Sequence, residues 1–84
     1  MSKKRLPPFS AKAESIVIGG LYEHYKGARY RVLHIARHSE TLEELVVYQA
    51  LYGEGGVWVR PLKMFLEEVV VAGRPQPRFR FVTS

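Results

Sequence analysis

None of the 84 residues is cysteine. That absence removes disulfides, thiolate catalysis and every cysteine-bearing zinc or iron–sulfur centre. It suits a reducing compartment, and a cytoplasmic location is the expectation. No apolar run approaches the ~18 residues that span a bilayer, so no membrane partner is expected. The amino end, MSKKRLPPFS, lacks a long apolar stretch and a small-residue cleavage site and does not read as a secretory signal. Internal repeats and low-complexity segments are missing as well. The chain is also short on length: it allows one domain, which buries only about 60–65% of its unfolded surface and therefore has a thin core.

What is present is ordinary globular composition, 46% hydrophobic and 25% charged, with a net charge of +5. A basic excess invites nucleic acid, but its location weakens the invitation. Lys3, Lys4, Arg5 and Lys12 against Glu14 leave +3 on residues 1–18, and only +2 falls on the remainder. Residues 1–15 carry Pro7-Pro8, scattered Lys and Ser, and no sustained period. They are expected to be mobile or loosely draped, and a solvated tail is favoured over a phosphate-binding arm. The domain proper is expected over 19–84, with 1–18 as a basic, proline-containing tail or arm.

From Gly20 the pattern is one of short strands. In GLYEHYKGARYRVLHIARH, a glycine at the first central position of a two-residue turn predicts a hairpin with strands at about 20–26 and 29–37. That register pairs Tyr25 with Tyr30, His24 with Arg31, Glu23 with Val32 and Tyr22 with Leu33. LEELVVYQALYG has some helical spacing, but Val46-Val47, Tyr48 and Tyr52 favour a strand at about 45–52. VWV follows at 57–59, and Pro61 opens one helical turn in PLKMF. FLEEVVV, a turn at Ala72-Gly73-Arg74-Pro75 and a last strand PRFRFV complete the chain. The fold class is all-β: a small SH3-like barrel of about five or six antiparallel strands with one short helical turn, an open and strongly bent sheet being the alternative.

His24-Tyr25-Lys26-Gly27, His38-Ser39-Glu40-Thr41, Leu51-Tyr52-Gly53, Trp58-Val59-Arg60-Pro61 and Met64-Phe65, taken together, resemble the bacterial family known as domain of unknown function 1653. The resemblance covers about residues 19–71. It implies an SH3-like barrel in a small cytoplasmic protein and implies no activity. His34 stands where the family would carry a small residue, so it is a poor candidate for a shared role.

The residues suggest four chemistries. Three histidines suggest zinc, but the expected register puts His24 and His34 on opposite faces. His34 and His38 lie ~13 Å apart along one strand, so no metal site is expected. Acid–base catalysis would use His38 and Glu40, with Arg37 holding a carboxylate or phosphate. The plainer reading is a hairpin turn in which Ser39 and Thr41 bond their own backbone, or a capped helical turn at Thr41-Leu42-Glu43-Glu44. Nucleic acid would use Arg29, Arg31, Arg78 and Arg80, although Arg78-Phe79-Arg80-Phe81 also reads as a half-buried edge strand. Aromatic recognition is the fourth. Tyr22, Tyr25, Tyr30, Tyr48, Tyr52 and Trp58 are many large rings for so small a domain, and small barrels present such rings on an open face.

The reading adopted is a binding or accessory module for a peptide, protein or small ligand, without a cofactor. A nucleic-acid-binding barrel is the first alternative and a small hydrolase using His38 and Glu40 the second. The expected face comprises Tyr22, His24, Arg37, His38, Glu40, Tyr48, Tyr52, Trp58 and Arg60.

Overall fold

The computed structural model describes residues 5–84, so two of the lysines of the expected basic tail, Lys3 and Lys4, lie outside it. Seven strands and two four-residue helices follow the chain: α1 (Ala11–Glu14), β1 (Leu21–His24), β2 (Arg29–Arg37), β3 (Glu44–Ala50), β4 (Val57–Pro61), α2 (Leu62–Phe65), β5 (Glu68–Val71), β6 (Arg74–Pro77) and β7 (Phe79–Thr83). Five strands make one antiparallel sheet in the order β4-β3-β2-β1-β7, and β5 with β6 makes a separate hairpin. The all-β class stands, with β4 and β7 as the two edges of the larger sheet. The helical turn falls where Pro61 places it. PRFRFV is divided: Arg78 interrupts it, its first residues pair with β5 and its last five with β1.

The β1–β2 register differs from expectation by three residues. Tyr22 pairs with Tyr30 and Glu23 with Arg29. Gly27 holds φ +104 and donates its N–H to the His24 carbonyl. The glycine therefore closes a longer loop instead of opening a two-residue turn. An odd slip exchanges the faces of a strand, so Tyr30 and Val32 point inward. A bulge between Val32 and His34 in the β2–β3 ladder leaves Leu33 without a Cα partner. Val32 and Ile35 consequently both face the core although they are three residues apart, with Val32 fully buried.

One cluster forms the core. Tyr22, Val32, Val46, Tyr48 and Phe79 rise from the sheet, and Leu62 and Phe65 of α2 cover them. Phe65 stacks on Phe79 at 4.2 Å with the rings 6° from parallel, and Tyr22 meets Phe65 edge-on at 5.4 Å. The rest of the cover comes from the segment expected to drape loosely. Ala13 and Ile16 are buried in the same cluster. Ser10 caps α1 by accepting from the Ala13 N–H, and it donates to both oxygens of Glu44 at 2.7 Å. Two apolar residues and a cap are enough to tie residues 10–16 down, despite the lack of a sustained period.

Candidate functional site

At the end of the sheet where β3 runs out toward Gly53, the inner face carries a continuous series of rings. Tyr30 meets Tyr48 edge-on at 5.2 Å, Tyr52 at 5.6 Å and Phe79 at 5.7 Å. His24 meets Phe79 at 5.0 Å. Arg60 lies over Phe79 at 5.5 Å, and its Nε donates to the Tyr48 hydroxyl at 3.1 Å. Trp58 precedes Arg60 by two residues and pairs with Tyr48, so it shares the inner face. Exposure separates these groups. Tyr48 is buried, whereas Tyr52 and Trp58 are 53% and 57% exposed.

Charge at this end is mixed, with Glu23 and Glu54 among the basic side chains. Among the described residues the ion pairs join Arg29 and Arg80 to Glu23 and Arg78 to Glu67; Arg60 has no carboxylate within pairing distance. The His24 imidazole is held below its ordinary range, first by burial and then by the nearby charges of Arg60, Arg78 and Lys26. Its Nδ1 accepts the Lys26 N–H at 3.2 Å, which leaves Nε2 as the outward nitrogen of the neutral ring. The Tyr30 phenol is pushed up to about 12, first by burial and then by the hydroxyl–hydroxyl bond to Tyr52 at 2.9 Å. The site therefore offers the Tyr30 phenol and the His24 imidazole, both biased toward the neutral form, near an Arg60 guanidinium without a carboxylate partner among the described residues.

Of the expected face, His24, Tyr48, Tyr52, Trp58 and Arg60 are brought together. Tyr22 is not available to a ligand: its ring is buried and its hydroxyl accepts the Val17 N–H. Tyr48 can act only through the bond it accepts from Arg60. Arg37, His38 and Glu40 lie at the opposite end of the β2–β3 ladder. Arg37 pairs with Glu44, while Tyr30 pairs with Ala50. Six residues of β3 separate those positions, about 20 Å. There the His38 Nδ1 accepts the N–H groups of Glu40 and Thr41, and the Thr41 hydroxyl accepts the Glu43 N–H. Leu42 takes φ +63 and no helix forms. Arg37 lies over the Phe9 ring at 4.1 Å and donates to the Pro7 carbonyl. Within ARHSETLEEL the residues between β2 and β3 form a turn in which the side chains of His38 and Thr41 serve its own backbone, while Arg37 and Glu44 reach out to Pro7 and Ser10.

Phe79, Tyr30 and Arg78 adjoin the site although the expected face omits them. The Arg–Phe alternation of β7 is visible, but its pairing with β1, more than fifty residues away, leaves no local mark. The arginines weighed for nucleic acid are engaged elsewhere: Arg31 donates to the Gly19 carbonyl, Arg29 and Arg80 meet Glu23, and Arg78 meets Glu67. A concavity of about 380 Å³ lies elsewhere, between Ser10, Lys12 and Glu44 on one side and Leu62, Lys63, Leu66 and Glu67 on the other. Its charges are of mixed sign and Glu44 is already taken by Ser10, so its polar groups do not converge on one ligand type. No group of three or more metal-ligating side chains occurs among the described residues, and no described helix is long and apolar enough to cross a membrane.

Comparison with known proteins gives a consistent placement. A family model described as "Protein of unknown function (DUF1653)" matches residues 20–81. The crystal structure of a protein belonging to DUF1653 from Bordetella bronchiseptica is similar at a TM-score of 0.76 and 40% identity, over 84% of this chain and 92% of that one. No curated protein matches. The matched span begins just before β1 and ends within β7, taking in every strand and α2, and on that extent the chain belongs to the DUF1653 family of proteins of unknown function.

Proposed function

We propose that this protein is a binding module whose ligand is a peptide or small molecule carrying a carboxylate beside a planar group. The supporting observation is Arg60. Its guanidinium is half-buried over Phe79 and has no acidic partner among the described residues, and Trp58, two residues before it on the same face of β4, is exposed. A guanidinium offers five N–H donors in a planar fork. Only Nε is used by Tyr48, and the terminal groups suit bidentate capture of a carboxylate. Tyr52 and Trp58 supply flat contact area, and the neutral His24 supplies a donor at Nε2 without adding charge. A binding reading is favoured over a catalytic one because the histidine and glutamate that would do acid–base work, His38 and Glu40, are committed to a turn at the far end of the sheet.

The test is an NMR titration with short peptides that end in an aromatic residue, as free acids and as C-terminal amides. Free acids should shift the Trp58 indole N–H and the Tyr52 ring signals, and amides should not. Arg60→Gln should weaken the response by about tenfold or more, the ~1.5–3 kcal/mol of a hydrogen bond to a charged group. Equal response to acids and amides, or an unchanged response in Arg60→Gln, rules the reading out.

A further inference from the structure

Behind the outer members of the site stand two tyrosines, and the hydroxyl of each meets one of those members. The Tyr48 hydroxyl accepts from Arg60 Nε at 3.1 Å, and the Tyr30 hydroxyl bonds that of Tyr52 at 2.9 Å. Tyr48 is buried and Tyr30 half-buried, whereas Tyr52 is exposed. Tyr48 pairs with Val32 and Tyr30 with Ala50, and across that diagonal the two inner rings meet edge-on at 5.2 Å.

The rings alone would serve the core. Phe79 meets both of them and Phe65 also meets Tyr48, contacts that phenylalanine would make as well. The hydroxyls are what tyrosine adds, and neither has a second partner among the described residues. At the other end of each bond the backbone is already fixed. β4 holds Arg60 opposite Val46. The turn after β3 is closed by the Gly55 N–H on the Tyr52 carbonyl and by the Gln49 side chain on the Gly55 carbonyl. What the two hydroxyls add is direction, for side chains that the main-chain bonds leave free to turn.

We propose that Tyr30 and Tyr48 are positioning residues with separate duties, an inference that rests on the binding reading above. Tyr48 holds Arg60 ready for the ligand's carboxylate, and Tyr30 holds Tyr52 ready for its planar group. A long side chain that is free beforehand must be immobilised when the ligand arrives, which weakens affinity by roughly two- to tenfold. A side chain already held avoids that loss. Because the two hydroxyls act on different side chains, each governs a different part of the ligand. Tyr48 sets the strength of acid capture, and Tyr30 sets the preference for an aromatic end over an aliphatic one.

Tyr30→Phe and Tyr48→Phe keep both rings and remove only the hydroxyls. Dissociation constants for free-acid tripeptides ending in phenylalanine or in leucine are read from the Trp58 indole N–H, a group that neither change removes. The wild type should favour the phenylalanine acid. Tyr48→Phe should weaken both acids alike, by roughly two- to tenfold, and keep that preference. Tyr30→Phe should weaken the phenylalanine acid by a similar factor and leave the leucine acid unchanged. Equal loss of both acids in the two variants overturns the inference, as does wild-type binding in either. Two ligand-free NMR measurements separate it from the reading it rests on. The Arg60 Nε–H should exchange slowly with water in the wild type and rapidly in Tyr48→Phe. Couplings about χ1 of Tyr52 should report one rotamer in the wild type and an average in Tyr30→Phe. A wild type that takes acids and amides alike removes the binding reading, and these two contrasts still decide whether the tyrosines hold their partners. Exchange or couplings unchanged by the substitutions overturn the inference whatever the protein binds.

Discussion

Phe65 meets three other rings: it stacks on Phe79 and is met by Tyr22 and Tyr48, and it is 1% exposed. Truncating such a side chain costs about 3–5 kcal/mol, against roughly 5–15 kcal/mol for a whole domain. Phe65→Ala should therefore lose most or all of its cooperative urea transition; a midpoint near the wild type would mean that the ring is not in the packed interior. His24 supports a prediction in pH. Its folded-state pKa is lowered, so between that value and about 6.5 the unfolded chain binds more protons than the folded one. The associated stability is fully present above about pH 6.5 and falls as pH drops through the depressed pKa. Urea midpoints should decline from pH 7.5 to 5.5 in the wild type and decline less in His24→Gln; equal slopes would remove His24 as the cause. Glu23 and Glu44 are also lowered, Glu23 chiefly by its bond to Arg80 and Glu44 by its bonds to Ser10, but their window opens only below 4.5. At this scale the sequence tells which rings exist but not their depth. Tyr48 and Trp58 are cross-strand partners on one face, yet Tyr48 lies beneath Phe65 and Phe79 while Trp58 is one strand farther out. Alternation cannot distinguish an inner strand from an edge.

The elements were legible where turn chemistry is local and illegible where it depends on a distant partner. Pro61 marks α2 because its φ of −53° suits the first turn of a helix and its missing N–H would be unpaired there anyway. The split of PRFRFV at Arg78 was invisible because it arises from two different pairings, β6 with β5 and β7 with β1. The first hairpin slipped by three residues because Lys26-Gly27 fits a short turn locally and a longer one equally well. Ala72-Gly73 joins β5 to β6 with both residues at positive φ, +52° and +75°. That is the type I′ geometry, which favours asparagine at the first position and glycine at the second. An L-residue held left-handed costs about 1–2 kcal/mol, and asparagine tolerates it better than alanine. Ala72→Asn should accordingly raise the urea midpoint by the equivalent of about 1 kcal/mol. An unchanged or lowered midpoint would show that the hairpin does not melt with the rest of the domain.

For the molecule as a whole, the all-β class followed from composition and strand-length patterning, and the boundary of the folded unit did not. Counting charge and proline assigns residues 1–18 to a tail, because nothing in that stretch repeats at a helical or strand period. Folding reads something else in it: two apolar side chains three residues apart, Ala13 in α1 and Ile16 just past its end, and a serine before them. Ala13 is 1% exposed and Ile16 6%, and both close the side of the core that the sheet and α2 leave open. A thin core makes each such residue weigh more, since a domain of this size has little buried surface in reserve. The family match begins at residue 20, beyond this segment, so the cover it supplies is an addition to the matched strands and α2. Truncating Ile16 alone should cost about 2–5 kcal/mol. Removing residues 1–17 takes Ala13, Ile16 and the Ser10–Glu44 bonds together. The truncated chain should then show a broad, weakly cooperative thermal transition by circular dichroism, while Ile16→Val, which keeps the β-branched shape, should stay within about 0.5–1.5 kcal/mol of the wild type. If the truncated chain melts as sharply and as high as the full chain, the matched region is self-sufficient and the helix at its amino side is only resting on it.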